Sequence, residues 1–239
     1  MEFVTVSTGA AVVRSTGFLR NQWNRRKPLR VKFDRVIPGD WKLALDSADS
    51  LADIPKESHS SSDMYRYLAE RGAYDFRESR ARLSIQNRSN RACVIREIRV
   101  VKTRVSSPIS GVRVRHPPAG AVDFIFLSFD LDSPSPNAWE CSYEGVRRQI
   151  GDVPYFDKRI IQLMPGEACE LIVIGSTEAA SCEWHLEIIF DVQNKRKCLS
   201  LDNKDQMIKT SGVPLSGFEA DLHWTWWKGP DARFEQIDG

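Results

Sequence analysis

The chain predicts an all-β fold, an antiparallel β-sandwich of immunoglobulin-like or jelly-roll-like type. Ser181–Val192 places Cys182, Trp184, Leu186, Ile188, Phe190 and Val192 at alternate positions, with Glu183, His185, Glu187 and Asp191 filling most of the others. Successive side chains of a strand point to opposite faces, so this stretch reads as a strand with one buried face and one wet face. Trp184 is its expected anchor, because a buried aromatic removes more apolar area from water than other side chains. Comparable runs recur along the chain with turn residues between them, and helical periodicity is nearly absent. Antiparallel sheets packed face to face bury such runs.

Residues 1–79 read as an irregular N-terminal extension, with a β-hairpin and one short helix, packed on the sandwich. Leu29, Val31 and Phe33 alternate with Arg30, Lys32 and Asp34, and Leu43 and Leu45 follow Trp41 after the turn signal Pro38-Gly39, which predicts the hairpin. Ser47–Asp63 is polar and reads as a surface loop. Met64, Tyr65 and Leu68 share one side of a helix predicted over Asp63–Arg71, with Gly72 as its stop.

The sandwich itself is expected over residues 80–227. Leu83 and Ile85 lead to a turn at Asn87–Asn90, and Cys93–Val105 returns with Val94, Ile98 and Val100 as core positions. A short strand is predicted at Val112–Val114, a central one at Ala121–Leu131, and another through Trp139, Cys141 and Tyr143. Ile160–Leu163, Cys169–Ile174, the anchor strand and Arg196–Leu201 complete the series. Phe218, Leu222, Trp224, Trp226 and Trp227 then crowd the end of the chain, and residues 228–239 read as a flexible tail.

Within Leu83–Thr210, the stretches LSIQNRSNRACVIREIRV at Leu83–Val100, FDLD at Phe129–Asp132, MPGE at Met164–Glu167 and CEW at Cys182–Trp184 resemble a group of uncharacterised β-sandwich proteins common in actinobacteria. The resemblance covers roughly half the chain, and its motifs are packing motifs. It implies a fold class and a bacterial source, and no activity.

A net charge of +2 implies no partner by itself. Arg14, Arg20, Arg25, Arg26, Lys27, Arg30, Lys32 and Arg35, however, crowd the beginning of the chain with only Asp34 against them. Such an arm can bind anions, and Trp23 beside Arg25, Arg26 and Lys27 would make a stacking site for nucleic acid. Cys93, Cys141, Cys169, Cys182 and Cys198 form no CxxC pair and show no zinc-like spacing, which suits buried thiols in a reducing compartment, although a Cys93–Cys182 disulfide is compatible with the sequence. No signal-peptide pattern or membrane-spanning run is legible, so a cytoplasmic location is expected.

Catalytic fingerprints for serine hydrolases, zinc proteases, nucleotide or dinucleotide binding are absent from the sequence, and no cofactor is implied. Glu183, His185 and Glu187 share one face of one strand, and Asp130 and Asp132 share another. Either set has metal-ligand chemistry, the basis of a metal-dependent hydrolase alternative. The plainer readings are a solvated sheet face for the first and a strand end with a turn cap for the second. Alternation places Trp224 and Trp226 against the body and leaves Trp227 for a partner. The leading expectation is a non-enzymatic binding or assembly module that acts through protein–protein contacts or self-association at Trp224, Trp226 and Trp227. A nucleic-acid-associated accessory protein is the second expectation.

Overall fold

A computed structural model of the chain describes residues 27–38, 41–51, 60–116, 125–144, 147–203, 207–224 and 233–237. The described chain is all-β. In order it runs β1 Leu29–Arg35, β2 Lys42–Leu45, a 3-10 turn at Ala48–Leu51, α1 Ser61–Glu70, β3 Tyr74–Phe76, β4 Glu78–Asn87, β5 Cys93–Ser106, β6 Val112–Arg115, β7 Ile125–Asp130, β8 Trp139–Glu144 and β9 Arg147–Pro154. A single turn of helix, α2 Tyr155–Lys158, precedes β10 Ile161–Leu163, β11 Ala168–Ser176, β12 Ser181–Val192, β13 Lys195–Leu201, β14 Ile208–Ser211, β15 Ala220–Trp224 and β16 Phe234–Gln236.

The strands form two sheets. One has six strands in the order β1-β4-β11-β7-β8-β9, and the other has ten, β10-β5-β12-β14-β3-β2-β6-β15-β16, with β13 added beside β12. Most pairings are antiparallel, as expected, but β7 with β11, β3 with β14 and β6 with β15 are parallel. The sheets are therefore mixed, a departure from the purely antiparallel sandwich.

The first core lies between the sheets. Every second residue of β4 points inward, so Ala81, Leu83 and Ile85 meet Leu127, Phe129, Leu171 and Val173 from β7 and β11. From the other sheet come Ile95 and Ile98 of β5 and Trp184, Leu186 and Ile188 of β12. Trp184 is fully buried, and its indole N–H donates to Thr210 Oγ1 at 2.9 Å. That hydrogen bond satisfies the one polar atom of an otherwise apolar anchor. The ring lies against Gly175 of β11, where a Cβ would stand 2.4 Å from Trp184 Cζ2. Glycine is what lets the two sheets approach at this point.

A second core lies between α1 and the sheet formed by β2, β6 and β15, and joins Trp41, Leu43, Leu45, Met64, Leu68, Val112 and Val114. This second core draws β2 away from β1. The predicted β1–β2 hairpin does not form: β1 pairs with β4, and β2 pairs with β3 and β6. Leu29, Val31 and Phe33 pack on the first core, whereas Leu43 and Leu45 belong to the second, so the two strands join different sheets. The strands of the presumed extension are thus members of both sheets. Near the other end, Phe234–Gln236, inside the stretch read as a flexible tail, pairs with β15.

The predicted helix appears one to two residues early. Ser60 caps it, its hydroxyl accepting from Asp63 N at 3.0 Å, and Gly72 leaves it at φ 93°. The turn after β4 is organised by fully buried Asn87, whose side chain donates to the carbonyls of Arg91 and Leu163 and accepts from Ser89 N. The β12–β13 hairpin closes on Gln193 and Asn194, both at positive φ, 52° and 57°. Two left-handed residues give the turn whose twist matches the flanking strands.

Candidate functional site

The β1 strand ends the six-stranded sheet, and among the described residues no strand pairs with its outer edge. An open edge presents a row of unpaired backbone N–H and C=O groups. Helix α1 runs beside it. Phe33, Asp34, Arg35 and Ile37 form one wall of a groove of about 400 Å³, and Tyr65, Arg66, Ala69 and Glu70 form the other. Tyr65 with Ala69 and Arg66 with Glu70 are each four residues apart, so the helical wall consists of two adjacent rows along the helix. The groove thus has a mixed lining, with apolar Phe33, Ile37 and Ala69 among charged side chains.

A buried ionic knot fixes the two walls. Asp75 of β3 is 4% exposed. Its Oδ1 accepts from the Tyr65 hydroxyl at 2.6 Å and its Oδ2 from Arg35 Nη2 at 3.0 Å. The Arg35 guanidinium also sits 5.7 Å from the centroid of the Tyr65 ring. One carboxylate therefore ties together β1, β3 and α1, which come from the six-stranded sheet, the ten-stranded sheet and the helix. Burial pushes the Asp75 carboxyl up, against the Arg35 charge and the hydrogen bonds from Tyr65 and Arg35. Burial and the Asp75 charge push the Tyr65 phenol up, so it remains a donor. Trp41 supports the helix from below, donating from its indole to Ser61 Oγ at 2.7 Å and stacking on His116 at 5.4 Å.

The residues singled out by sequence lie elsewhere. Trp224 is 3% exposed and tilts against Phe234 at 5.0 Å in the second core, so it is an internal packing residue. Trp226 and Trp227 lie outside the described residues, as do Trp23, Arg25 and Arg26. Lys27 is exposed. Arg35, counted with the basic arm, is instead committed to Asp75.

Asp130 and Asp132 organise a turn. Asp130 Oδ1 accepts from Asp132 N at 3.0 Å, and Asp132 accepts from Thr177 Oγ1 and Glu178 N, each at 2.7 Å. Partial burial raises the Asp132 carboxyl, but these donors outweigh it and hold the group below the usual aspartate range. Glu183, His185 and Glu187 do share the outer face of β12, yet they are not alike. Glu187 accepts from Arg99 Nε at 2.8 Å, and Glu183 accepts from the Tyr74 hydroxyl at 2.7 Å. His185, expected on a wet face, is 7% exposed. It sits where the neighbour of β12 changes from β14 to β13, a fork that alternation along β12 does not reveal.

Among the described residues no group of three or more His, Cys, Asp or Glu is arranged to hold a metal ion. The five cysteines are free thiols, Cys93 and Cys182 included. Burial pushes Cys93, Cys141 and Cys169 up to about 11 and Cys182 upward, the opposite of an activated nucleophile. No described helix is long and apolar enough to cross a membrane. Comparison with known proteins finds no match among protein-family models, curated proteins or solved structures.

The groove was not legible in the sequence. Alternation marks β1, and Met64, Tyr65 and Leu68 with the stop at Gly72 mark α1, but their adjacency depends on the pairing of β1 with β4 and on a buried Asp75 inside a three-residue strand.

Proposed function

We propose that the protein is a binding module that captures an extended peptide segment of a partner between β1 and α1. The observation that carries this reading is a strand edge, unpaired among the described residues, lying along a helix face across an open groove. Strand addition at such an edge uses main-chain hydrogen bonds for affinity and side-chain pockets for selectivity. The groove suits a segment that alternates apolar and charged side chains. The apolar ones meet Phe33, Ile37 and Ala69, and the charged ones meet Arg66 and Glu70 at the rim. The Asp75 knot keeps both walls in place before binding, which lowers the ordering cost of capture.

The test is selection of a displayed random-peptide library on the full chain, followed by measured affinities for the native protein and for Ala69→Arg, which fills the groove. The expected result is a family of extended peptides that bind the native protein and lose at least about tenfold in affinity for Ala69→Arg. Selection of no peptide, or of peptides that bind a folded Ala69→Arg equally well, would overturn the reading.

A further inference from the structure

The link between β5 and β6 runs over the outer face of the ten-stranded sheet, away from the groove strand. It is pinned along its length. Ile109 N donates to Ser211 Oγ of β14 at 3.0 Å, and the Ile109 side chain packs with Ala44 and Tyr74. Glu219 N donates to the carbonyls of Ser110 and Gly111 at 2.9 and 2.8 Å. Gly111 is pressed so closely on β2 that a Cβ there would stand 2.2 Å from the Asp46 carbonyl oxygen. The link is therefore a fixed wall rather than a loose loop.

Between this wall and the sheet lies a pocket of about 200 Å³, lined by Asp46, Tyr74, Arg104 and the Ser106–Gly111 segment. At about 30 Å³ per water it holds on the order of six waters, enough space for one small polar group. Its donors are largely uncommitted. The Arg104 side chain is 68% exposed, and its nearest acid, Glu183 Oε1, is 3.8 Å away. That same oxygen already accepts from the Tyr74 hydroxyl at 2.7 Å and faces Lys209 at 3.8 Å. The hydroxyls of Ser106, Ser107 and Ser110 have no partner among the described residues. A guanidinium with three hydroxyls is a donor set for anionic oxygen. Asp46 is the exception in the lining, an acceptor that repels a bare anion and welcomes an O–H.

We infer that this pocket binds a phosphate group carrying an acid proton, either free phosphate or a phosphate monoester. Arg104 and the serine hydroxyls donate to its anionic oxygens, and its P–O–H donates to the Asp46 carboxylate. Sulfate has the same shape and no such proton near neutral pH, so it leaves Asp46 facing an oxygen lone pair. Selectivity of this kind comes from an unpaired or repelled group in the wrong complex.

The experiment is calorimetric titration of the full chain at about pH 6, where a phosphate monoester carries its second proton roughly half the time. The probes are inorganic phosphate, glycerol phosphate and sulfate. Phosphate is expected to bind more tightly than sulfate by roughly tenfold, the equivalent of one charge-assisted hydrogen bond. Arg104→Ala is expected to lose about tenfold or more for phosphate, and Asp46→Asn to bring sulfate level with phosphate. Tighter binding of glycerol phosphate than of phosphate assigns the site to esters, and the reverse assigns it to the free ion. No heat with either phosphate probe, equal binding of sulfate by the native protein, or unchanged phosphate affinity in a folded Arg104→Ala overturns the inference. A preference for phosphate that survives in a folded Asp46→Asn also overturns it, because the discrimination then does not come from the carboxylate.

Discussion

Gly175→Ala is the sharpest perturbation of the fold, because one added carbon meets one identified ring. The new Cβ would lie 2.4 Å from Trp184 Cζ2 and 3.0 Å from both Cε2 and Cη2. The indole cannot move aside cheaply, since it is fully buried and its N–H is held by Thr210 Oγ1, which also shares a hydrogen bond of 2.6 Å with Ser79 Oγ of the opposite sheet. Overpacking of this kind costs about 1–3 kcal/mol. Loss of the indole hydrogen bond, if the ring is displaced, adds about 1 kcal/mol. The restricted unfolded chain of an alanine returns about 0.4–1 kcal/mol. The net expectation is a destabilisation of about 2 kcal/mol, or a fall in Tm of roughly 4–8 °C for a domain of this size. Thermal unfolding followed by circular dichroism measures it. A double-mutant cycle makes the cause specific: Trp184→Phe removes the ring atoms in the way, so Gly175→Ala should cost less in that background, with a coupling of about 1 kcal/mol or more. An unchanged Tm in Gly175→Ala, or purely additive effects in the cycle, would refute the close approach of the two sheets at this point.

Removing the carboxylate of the knot in Asp75→Asn leaves Arg35 without its charge partner. The cost should be toward the lower end of about 3–5 kcal/mol in denaturant unfolding, because the Arg35 side chain is 24% exposed and partly screened. An unaltered midpoint would mean that the knot does not hold the groove. Trp224→Ala should destabilise by about 3–5 kcal/mol as a core truncation, and wild-type stability would show that this residue is not internal. Asp132 is held below the ordinary aspartate value of about 3.9, so the unfolded chain takes up its proton first as pH falls. Its stabilisation is present above that value and is lost as pH drops through the lower folded one. The Tm of the native protein should therefore fall more steeply than that of Asp132→Asn below about pH 4. Parallel acid profiles would rule out Asp132 as the clamp on the turn at Thr177–Ala179.

Alternation made the strands legible, because burial on one face imposes a period of two. Strands β12 and β13 and the Trp184 anchor lie where that period puts them, and Met64, Tyr65 and Leu68 mark the buried face of α1. In β5 the period breaks at a bulge beside Arg96, so Cys93 and Ile95 point inward before it and Ile98 and Val100 after it, and Val94, expected in the core, is only partly buried. Pairing was not legible in the same way. A strand with one apolar face carries no label for its neighbour, so β1 and β2 read as a hairpin although they serve different cores. The strands β3, β9 and β14 were not anticipated either. Residue by residue, Tyr74–Phe76 is too short for a period to show, and exposed Gln149, Ile150, Gly151 and Asp152 in β9 lack a buried face. The candidate site lay further out of reach. Asp75 is a lone acid between two aromatics in a three-residue strand, and only the tertiary fold places it between Arg35 and Tyr65.

Hydrogen exchange read by mass spectrometry, with and without a peptide selected on the full chain, tests the central claim most directly. Strand addition closes the outer edge of β1, so the account predicts slowed exchange of backbone amides across Leu29–Ile37, accompanied by protection of α1 and little change in β12 or β13. Protection confined to any other strand edge, with β1 exchanging as it does in the free protein, would contradict it.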